Sequence, residues 1–184
     1  ARYAMVASEL DVSVAACDEL LQQSELTRDP AHALAAQLTL GQVLYWQGHF
    51  ARALDHSQRA IALSNEPDMG ALRTIAMVHP RVTGHIFLSW ALWALGEPDA
   101  DREAADEAIT FARTIDHPYA NALATAFGAV NAIMLRDIDR AERLALEALE
   151  VAERHGILVV KGQATTTLGW VAIAAGTKPI GANG

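Results

Sequence analysis

Apolar and charged positions are arranged along the chain as in α-helices that bury one face. Between Asp139 and Glu153, for example, Leu144, Leu146, Leu149 and Val151 stand among charged residues. Ala supplies much of the 52% hydrophobic fraction, and the residues that favour strands are sparse. The pattern therefore predicts an all-α chain with a longer joint over residues 65–80, which has room for a short extra helix. The predicted helices cover residues 4–25, 31–47, 50–64, 81–95, 99–115, 118–135, 138–155 and 160–175.

A small residue stands at the same place in each of four repeated segments, at Gly41, Ser89, Ala129 and Gly169. In three of these segments a glycine follows 7 residues later, at Gly48, Gly96 and Gly176. We expect the small residue to let two antiparallel helices approach closely. We expect the glycine to end the first helix of each pair by taking a left-handed conformation.

Other residues mark where the helices begin. Pro30, Pro80 and Pro118 fit the first helical position, where the missing N–H is no loss. Asp137 is suited to cap a helix that opens near Ile138.

Three residues depart from the repeat. Asp101 stands where a small Ala is expected, His85 where a bulky aromatic is common, and Arg136 where glycine ends the other helices. We expect the second and third repeats to pack less regularly than the first for this reason.

Leu40-Gly41, Leu44, Gly48, Ala53 and Ala60 resemble the signature of the tetratricopeptide repeat (TPR). Residues 79–156, with the run Ala91-Leu92-Trp93-Ala94-Leu95-Gly96 and the Asp116-His117-Pro118 turn, resemble a narrower group. That group is the repeat region of large bacterial multidomain ATPase signalling proteins, including adenylate cyclase-like proteins and LuxR-type regulators. The resemblance implies a cytoplasmic module that senses an inducer or a partner protein and controls an output domain elsewhere.

The fold predicted from the repeat is an α-α superhelix, a right-handed solenoid of TPR-like helical hairpins. We expect a single repeat domain over residues 1–184, with a preceding helix in residues 1–25. Residues 177–184 either cap the last hairpin, or the chain forms a homodimer through its terminal repeats. The predicted hairpins cover residues 31–64, 81–115, 118–155 and 160–184.

In a stack of such hairpins the first helices line one continuous concave groove. The family's inward-facing offsets from the small residue place all four tryptophans of the chain in this groove. Large aromatics at a concave surface favour binding of an apolar peptide, a helix of a neighbouring domain, or an uncharged small molecule. The alternative is that these side chains fill the core. The predicted groove residues are Gln42, Tyr45, Trp46, Trp90, Trp93, Val130, Ile133, Met134 and Trp170, with Ala94, Ile173 and Ala174 beside them.

Composition and motifs argue against several other functions. The net charge of -8 with no basic stripe opposes direct nucleic-acid binding, and no apolar run is long enough to cross a membrane. The single Cys17 is expected to be a buried apolar side chain that suits a reducing compartment. The 7 histidines lack the spacing of a zinc helix, and no phosphate-binding or nucleophile motif is present. We therefore expect no catalysis, no cofactor and no metal.

The sequence thus favours a non-catalytic protein-interaction or regulatory scaffold module of a larger cytoplasmic bacterial signalling or transcription-regulating protein. A second hypothesis is a sensor of a small uncharged inducer that uses the same aromatic groove. A helical enzyme with an unrecognised site is the hypothesis from another class.

Overall fold

A computed structural model describes residues 9–65, 78–115 and 117–176 of the chain. Over these residues the regular structure is helical throughout, without a strand, which confirms the predicted all-α class. Most of the predicted joint over residues 65–80, with its extra helix, lies outside the described residues. The helices are α1 (Leu10–Thr27), α2 (Pro30–Trp46), α3 (Phe50–Ser64), α4 (Pro80–Ala94), α5 (Pro98–Thr114), α6 (Pro118–Met134), α7 (Ile138–His155) and α8 (Leu158–Ala174).

The first helix differs most from its predicted bounds of 4–25. It ends at Thr27, followed by Arg28 with a left-handed φ of 54°, and it begins at Leu10 after Glu9 as the N-cap. Residues 4–8 lie outside the described residues. The last helix begins at Leu158, two residues before the predicted start.

Prolines open the helices as predicted, because Pro30, Pro80 and Pro118 each occupy the first position of a helix. The side chain that precedes each proline accepts a hydrogen bond from the first turn. Asp29 accepts from the N–H of Ala31 at 2.9 Å, and His117 Nδ1 accepts from the N–H of Ala120 at 3.1 Å. Asp137 caps α7 in the same way, from the N–H of Arg140. These bonds satisfy N–H groups that have no partner inside a helix.

The first helices of the hairpins end in the left-handed conformation that the repeat predicts. Gly48, Gly96 and Gly176 have φ values of 79°, 84° and 69°. Arg136 takes the same conformation with a φ of 56°, so the expectation of an irregular third repeat is wrong at this turn. The backbone hydrogen bond from Asp137 N to Ala132 O matches the one from His49 N to Leu44 O. The turn therefore adopts the same backbone conformation whether Gly or Arg occupies this position.

Replacing Arg136 with glycine should stabilise the protein. An L-residue with a Cβ is strained at positive φ, whereas glycine is not, so Arg136→Gly is expected to raise the free energy of unfolding by about 0.5–1 kcal/mol. Urea unfolding followed by far-UV circular dichroism measures the change. The matched control is Gly96→Ala, which introduces the same strain at an equivalent turn and should destabilise. A loss of stability in Arg136→Gly would contradict the prediction.

The contacts divide the chain into an N-terminal unit, Ala1–Ala104, and a C-terminal unit, Ala105–Gly184, with the boundary inside α5. In the N-terminal unit α1 packs on α2, α2 on α3, and α4 on both α2 and α3. In the C-terminal unit α6, α7 and α8 pack on one another. Within each unit consecutive helices thus pair as in a helical solenoid of TPR-like hairpins. This division does not test the predicted single repeat domain, because repeat arrays make contacts mainly between neighbours.

Small residues set the spacing of the paired helices in the first repeat as predicted. A Cβ added at Gly41 would lie 2.6 Å from Ser57 Oγ and 3.4 Å from Ser57 N on α3, so a larger residue would force the Ser57 side chain to shift. In the third repeat Ala129 stands at the equivalent position and is fully buried. At Gly128 beside it, an added Cβ would lie 2.6 Å from Ile109 Cδ1 on the preceding helix α5 and 3.4 Å from Leu144 Cδ1 on α7. Gly169 is different, because no described atom lies within 4 Å of its Cβ position.

Alanine dominates the buried positions, and the second helices of the hairpins share one arrangement of them. On α3 the buried residues are Ala53, Ser57, Ala60 and Ser64, at intervals of four, three and four. On α7 they are Ala141, Ala145, Ala148 and Ala152, at the same intervals. This spacing places small side chains along one face of the helix, which then lies close against its neighbour.

The prediction that Cys17 is a buried apolar side chain is confirmed. Its exposed fraction is 0%, and it packs with Ala36, Leu40 and Leu44 in the core of the N-terminal unit. Burial raises the pKa of the Cys17 thiol from 9.0 to about 11. The thiol is therefore protonated at neutral pH and is not a nucleophile.

Candidate functional site

An aromatic cluster joins α2, α3 and α4 in the N-terminal unit. Tyr45 lies at its centre, with ring centroids 5.2 Å from Trp46, 5.5 Å from Phe50 and 5.5 Å from Trp90. Phe87 completes the cluster at 5.6 Å from Trp90 and 6.4 Å from Trp46. Most of these pairs are edge-to-face, the arrangement that aromatic quadrupoles favour. The rings therefore hold one another in fixed orientations.

The cluster is buried on one side and open on the other. Trp90 is 8% exposed and belongs to the core, whereas Trp46 is 56% exposed. Trp93, one helical turn after Trp90, is 41% exposed, and Leu95 follows it at 44%. We refer to Trp46, Trp93 and Leu95, the exposed residues at the ends of α2 and α4, as the aromatic surface, and the rings of Tyr45 and Phe87 pack against Trp46.

The structure separates the groove residues predicted in the N-terminal unit by depth. Tyr45, Trp46 and Trp93 reach the surface. Gln42, at 6% exposed, and Trp90 are buried, so neither offers its side chain to a partner in this structure. Trp90 instead supports the exposed indole of Trp46, since their ring centroids lie 6.0 Å apart.

The groove residues predicted in the C-terminal unit are partly exposed. Val130, Ile133 and Met134 lie on α6, and Trp170 lies on α8. Ile133 and Trp170 both pack against the buried cluster of Ala132, Ala141 and Val171, so their inner faces belong to the core of this unit. The continuous groove over all four first helices stays a prediction.

Two members of the cluster, Phe50 and Phe87, are absent from the predicted set. Phe87 lies three residues before Trp90 and therefore on the same helical face, a spacing that identifies it in retrospect. Phe50 opens α3 and reaches Tyr45 across the Gln47–His49 turn. Phe50 begins the second helix of its hairpin. The spacing rule that predicts the groove residues applies only to first helices, so it could not identify Phe50.

A buried polar pair lies close to the aromatic cluster. Asp101 is 0% exposed, and its Oδ1 accepts a hydrogen bond from Ser89 Oγ at 2.7 Å. Burial raises the pKa of the Tyr45 hydroxyl, and the negative charge of Asp101 raises it further. Asp101 occupies the position where the repeat predicts a small residue. The hydrogen bond from Ser89, the small residue of the facing helix α4, accommodates its carboxylate there.

Charge is divided between the two kinds of helix. The first helices α2, α4, α6 and α8 carry no Asp or Glu, and their Lys and Arg are limited to Arg81 and Lys161. The second helices contact one another through ion pairs, such as Arg140 with Asp106 at 2.6 Å and Arg113 with Glu147 at 2.8 Å. The aromatic surface therefore lies on helices without negative charge.

A cleft of about 380 Å³ in the C-terminal unit lies between the α5–α6 connection and the end of α7. Its lining includes Arg113, His117, Arg154 and His155. Each arginine already binds a carboxylate, Arg113 that of Glu147 and Arg154 that of Glu150. These pairs balance the positive charge of the cleft.

Three histidines make hydrogen bonds that stabilise the helices or join them. His79 and His117 cap helices, and His56 Nδ1 donates to Gln37 Oε1 at 2.6 Å across the α2–α3 hairpin. Burial lowers the pKa of His56. Within the described part of the chain no three His, Cys, Asp or Glu side chains are grouped so that they could hold a metal ion. None of the helices in residues 9–65, 78–115 and 117–176 combines the length and the apolar character that a membrane span requires.

Comparison with protein families identifies a repeat in the segment that carries most of the aromatic cluster. Residues 33–66 match the family model of the tetratricopeptide repeat. The match spans nearly all of α2 and α3, including Gly41, Tyr45 and Trp46. No curated protein matches the chain. TPR repeats generally form non-catalytic scaffolds that bind peptides or partner proteins, and this chain contains a TPR-like repeat region.

Proposed function

We propose that the chain is a protein-interaction module whose aromatic surface binds an apolar peptide or helix of a partner protein. The observation that carries the proposal is the exposure of Trp46 and Trp93, 56% and 41%, on helices free of acidic residues. Large apolar side chains rarely stay exposed together in a soluble domain unless they bind something.

The rings that pack against the Trp46 indole favour binding. The Trp46 indole packs against three rings, and its ring centroid lies 5.2–6.4 Å from those of Tyr45, Phe87 and Trp90. A side chain that is already ordered loses little conformational entropy when a partner covers it. Indoles of this kind are the usual centres of binding energy in protein interfaces.

The charge around the surface indicates the class of partner. α2 has no Lys, Arg, Asp or Glu, and α4 has Arg81 at its opposite end, in the first turn. A phosphate backbone or an acidic peptide would find no cationic clamp on these two helices. An apolar peptide loses no ionic hydration when it covers them, so it is the better fit.

The wider setting of the module is part of the same proposal. The resemblance of residues 79–156 to repeat regions of bacterial ATPase signalling proteins supports a regulatory role in a larger cytoplasmic protein. A small uncharged inducer that stacks on Trp46 is the alternative occupant of the surface. In both cases the chain itself acts without catalysis.

Titration of tryptophan fluorescence tests the proposal. The probes are neutral Leu- and Phe-containing helical peptides, with peptides of the same length that end in acidic residues as the comparison. Binding of a neutral peptide should shift the emission to shorter wavelength, because it removes water from the indoles. Trp46→Ala combined with Trp93→Ala should weaken that binding at least about tenfold.

The control for this titration is Val12→Ala combined with Leu26→Ala, which removes exposed apolar side chains from α1. This variant should bind as tightly as the unmodified chain. Unchanged affinity in the double tryptophan variant, with its helicity intact, would contradict the proposal, as would tighter binding of the acidic peptides. A response to uncharged aromatic small molecules but not to peptides would favour the inducer alternative.

A further inference from the structure

Three helix ends in the C-terminal unit line the cleft of about 380 Å³ described above. α5 and α7 end there with Arg113, Arg154 and His155 in their last turns, and α6 begins there after its N-cap His117. Basic side chains are stable in a last turn, because the carbonyl groups at the end of a helix carry partial negative charge. Basic residues of separate helices therefore come together in the lining of one cleft.

The two arginines keep most of their hydrogen-bond donors available. Among the described residues, Arg113 bonds to Glu147 through Nη2, at 2.8 and 2.9 Å, and Arg154 bonds to Glu150 through Nη2, at 2.5 Å. The two carboxylates balance the charge of the arginines, but neither glutamate belongs to the lining of the cleft. Nη1 and Nε of each guanidinium group therefore remain as donors for a ligand.

Two side chains of α6 add neutral donors to the lining. His117 Nδ1 accepts a hydrogen bond from the N–H of Ala120 at 3.1 Å, so the proton of the neutral imidazole lies on Nε2. Asn121 Oδ1 is buried, which leaves the donor Nδ2 as the polar atom with which this residue lines the cleft. None of the described lining residues is acidic. The cleft thus offers N–H groups from three helices to a negatively charged ligand.

Apolar side chains line the same cleft. Ala112 is buried, Ile115 and Val151 are partly buried, and Pro118 lies beside them. Sites for small molecules combine apolar lining of this kind with a few convergent polar groups, in volumes of roughly 300–1,000 Å³. A ligand that matches the whole cleft therefore has an anionic head and an apolar body.

We propose that this cleft binds a small molecule that is a phosphate monoester with an apolar organic part. Guanidinium groups match the oxygens of a phosphate two at a time, and the N-terminus of α6 favours the same negative charge. A carboxylate has fewer oxygens and a single negative charge, so it satisfies fewer of these donors. The cleft shares no residue with the aromatic surface, and the inference does not depend on the proposed function.

The test is a titration of the full chain with phenyl phosphate, followed by two-dimensional NMR of the amide groups. Saturable shifts are expected for the backbone amides of Ala120 and Asn121 and for the Asn121 side-chain amide, with a Kd below about 1 mM. Inorganic phosphate lacks the apolar part, phenol lacks the anion, and benzoate replaces phosphate with a carboxylate. Each of the three should bind at least about tenfold more weakly than phenyl phosphate.

Substitutions in the lining make the test specific. Arg113→Gln combined with Arg154→Gln should weaken binding of phenyl phosphate at least about tenfold, because it removes the charged donors. Asn121→Asp puts a carboxylate of the same size in place of a donor and should weaken binding as much. The matched control is Arg143→Gln, which removes an exposed arginine of α7 outside the lining and should change the Kd less than about twofold. Circular dichroism checks that each variant keeps its helices.

The outcomes that would overturn the proposal are distinct. Absence of saturable shifts up to about 10 mM phenyl phosphate would do so, as would unchanged affinity in the double arginine variant. Asp116, which precedes His117 in the sequence, lies outside the described residues. Asp116→Asn removes a negative charge, so weaker binding in that variant would contradict a site for an anion. A phosphotyrosine peptide that binds more than about tenfold tighter than phenyl phosphate would replace the small molecule with a phosphorylated partner protein.

Discussion

Leu44→Ala is expected to lower the free energy of unfolding by about 2–5 kcal/mol. The Leu44 side chain is 0% exposed and contacts Cys17, Leu40, Ala53 and Ala91 in the main core of the N-terminal unit. The buried members of this cluster include Ala36, Ala53 and Ala91, while the larger Val14, Leu20 and Leu54 pack against its edge. The size of the loss within the range depends on how far these larger side chains move into the vacated space. Urea unfolding followed by circular dichroism measures it.

Leu26→Ala is the matched control for Leu44→Ala. It makes the same chemical change in the same unit, but Leu26 is 85% exposed. Its effect should stay within about 0.5 kcal/mol of zero. Equal losses in the two variants would show that Leu44 is not in the core.

The second large effect concerns the buried pair of Ser89 and Asp101. Ser89→Ala removes a donor from a carboxylate that is 0% exposed, so it is expected to cost about 1–3 kcal/mol, toward the upper end because the acceptor is ionisable. Adding Asp101→Ala removes the carboxylate itself and restores the small residue that the repeat expects. The double variant should therefore be more stable than the sum of the two single variants predicts.

A double-mutant cycle from urea unfolding measures this coupling. The control replaces Thr165, whose hydroxyl bonds to its own helix in the exposed part of α8, with alanine. Thr165→Ala should have little effect and should add independently to Ser89→Ala. Strict additivity within the Ser89 and Asp101 cycle would show that the pair does not act together.

Much of the fold could be predicted because proline and glycine impose backbone angles that depend little on tertiary contacts. Pro30, Pro80 and Pro118 open helices, and Gly48 and Gly96 end them, in agreement with the sequence analysis. Arg136 shows the limit of that reasoning. An arginine carries no preference for positive φ, so the sequence could not indicate that the turn forces it there.

The candidate site was less predictable than the fold. The position of a residue in a helix determines the direction of its side chain but not how deeply that side chain is buried. Gln42 and Tyr45 were both assigned to the groove by their offsets from Gly41, yet Gln42 is buried and Tyr45 is partly exposed. Depth depends on which neighbouring side chains are large. The contact of Phe50 with Tyr45, and the bond of Ser89 to Asp101, join different helices and have no periodic signal in the sequence.

The absence of acidic residues from the first helices of the hairpins has a consequence for association at different ionic strengths. With a net charge of -8, copies of the chain repel one another, and this repulsion reaches about 10 Å in 0.1 M salt. The helices that carry Trp46 and Trp93 add nothing negative to that field. A neutral partner can thus approach them at any salt concentration, while dilute buffer keeps the copies themselves dispersed.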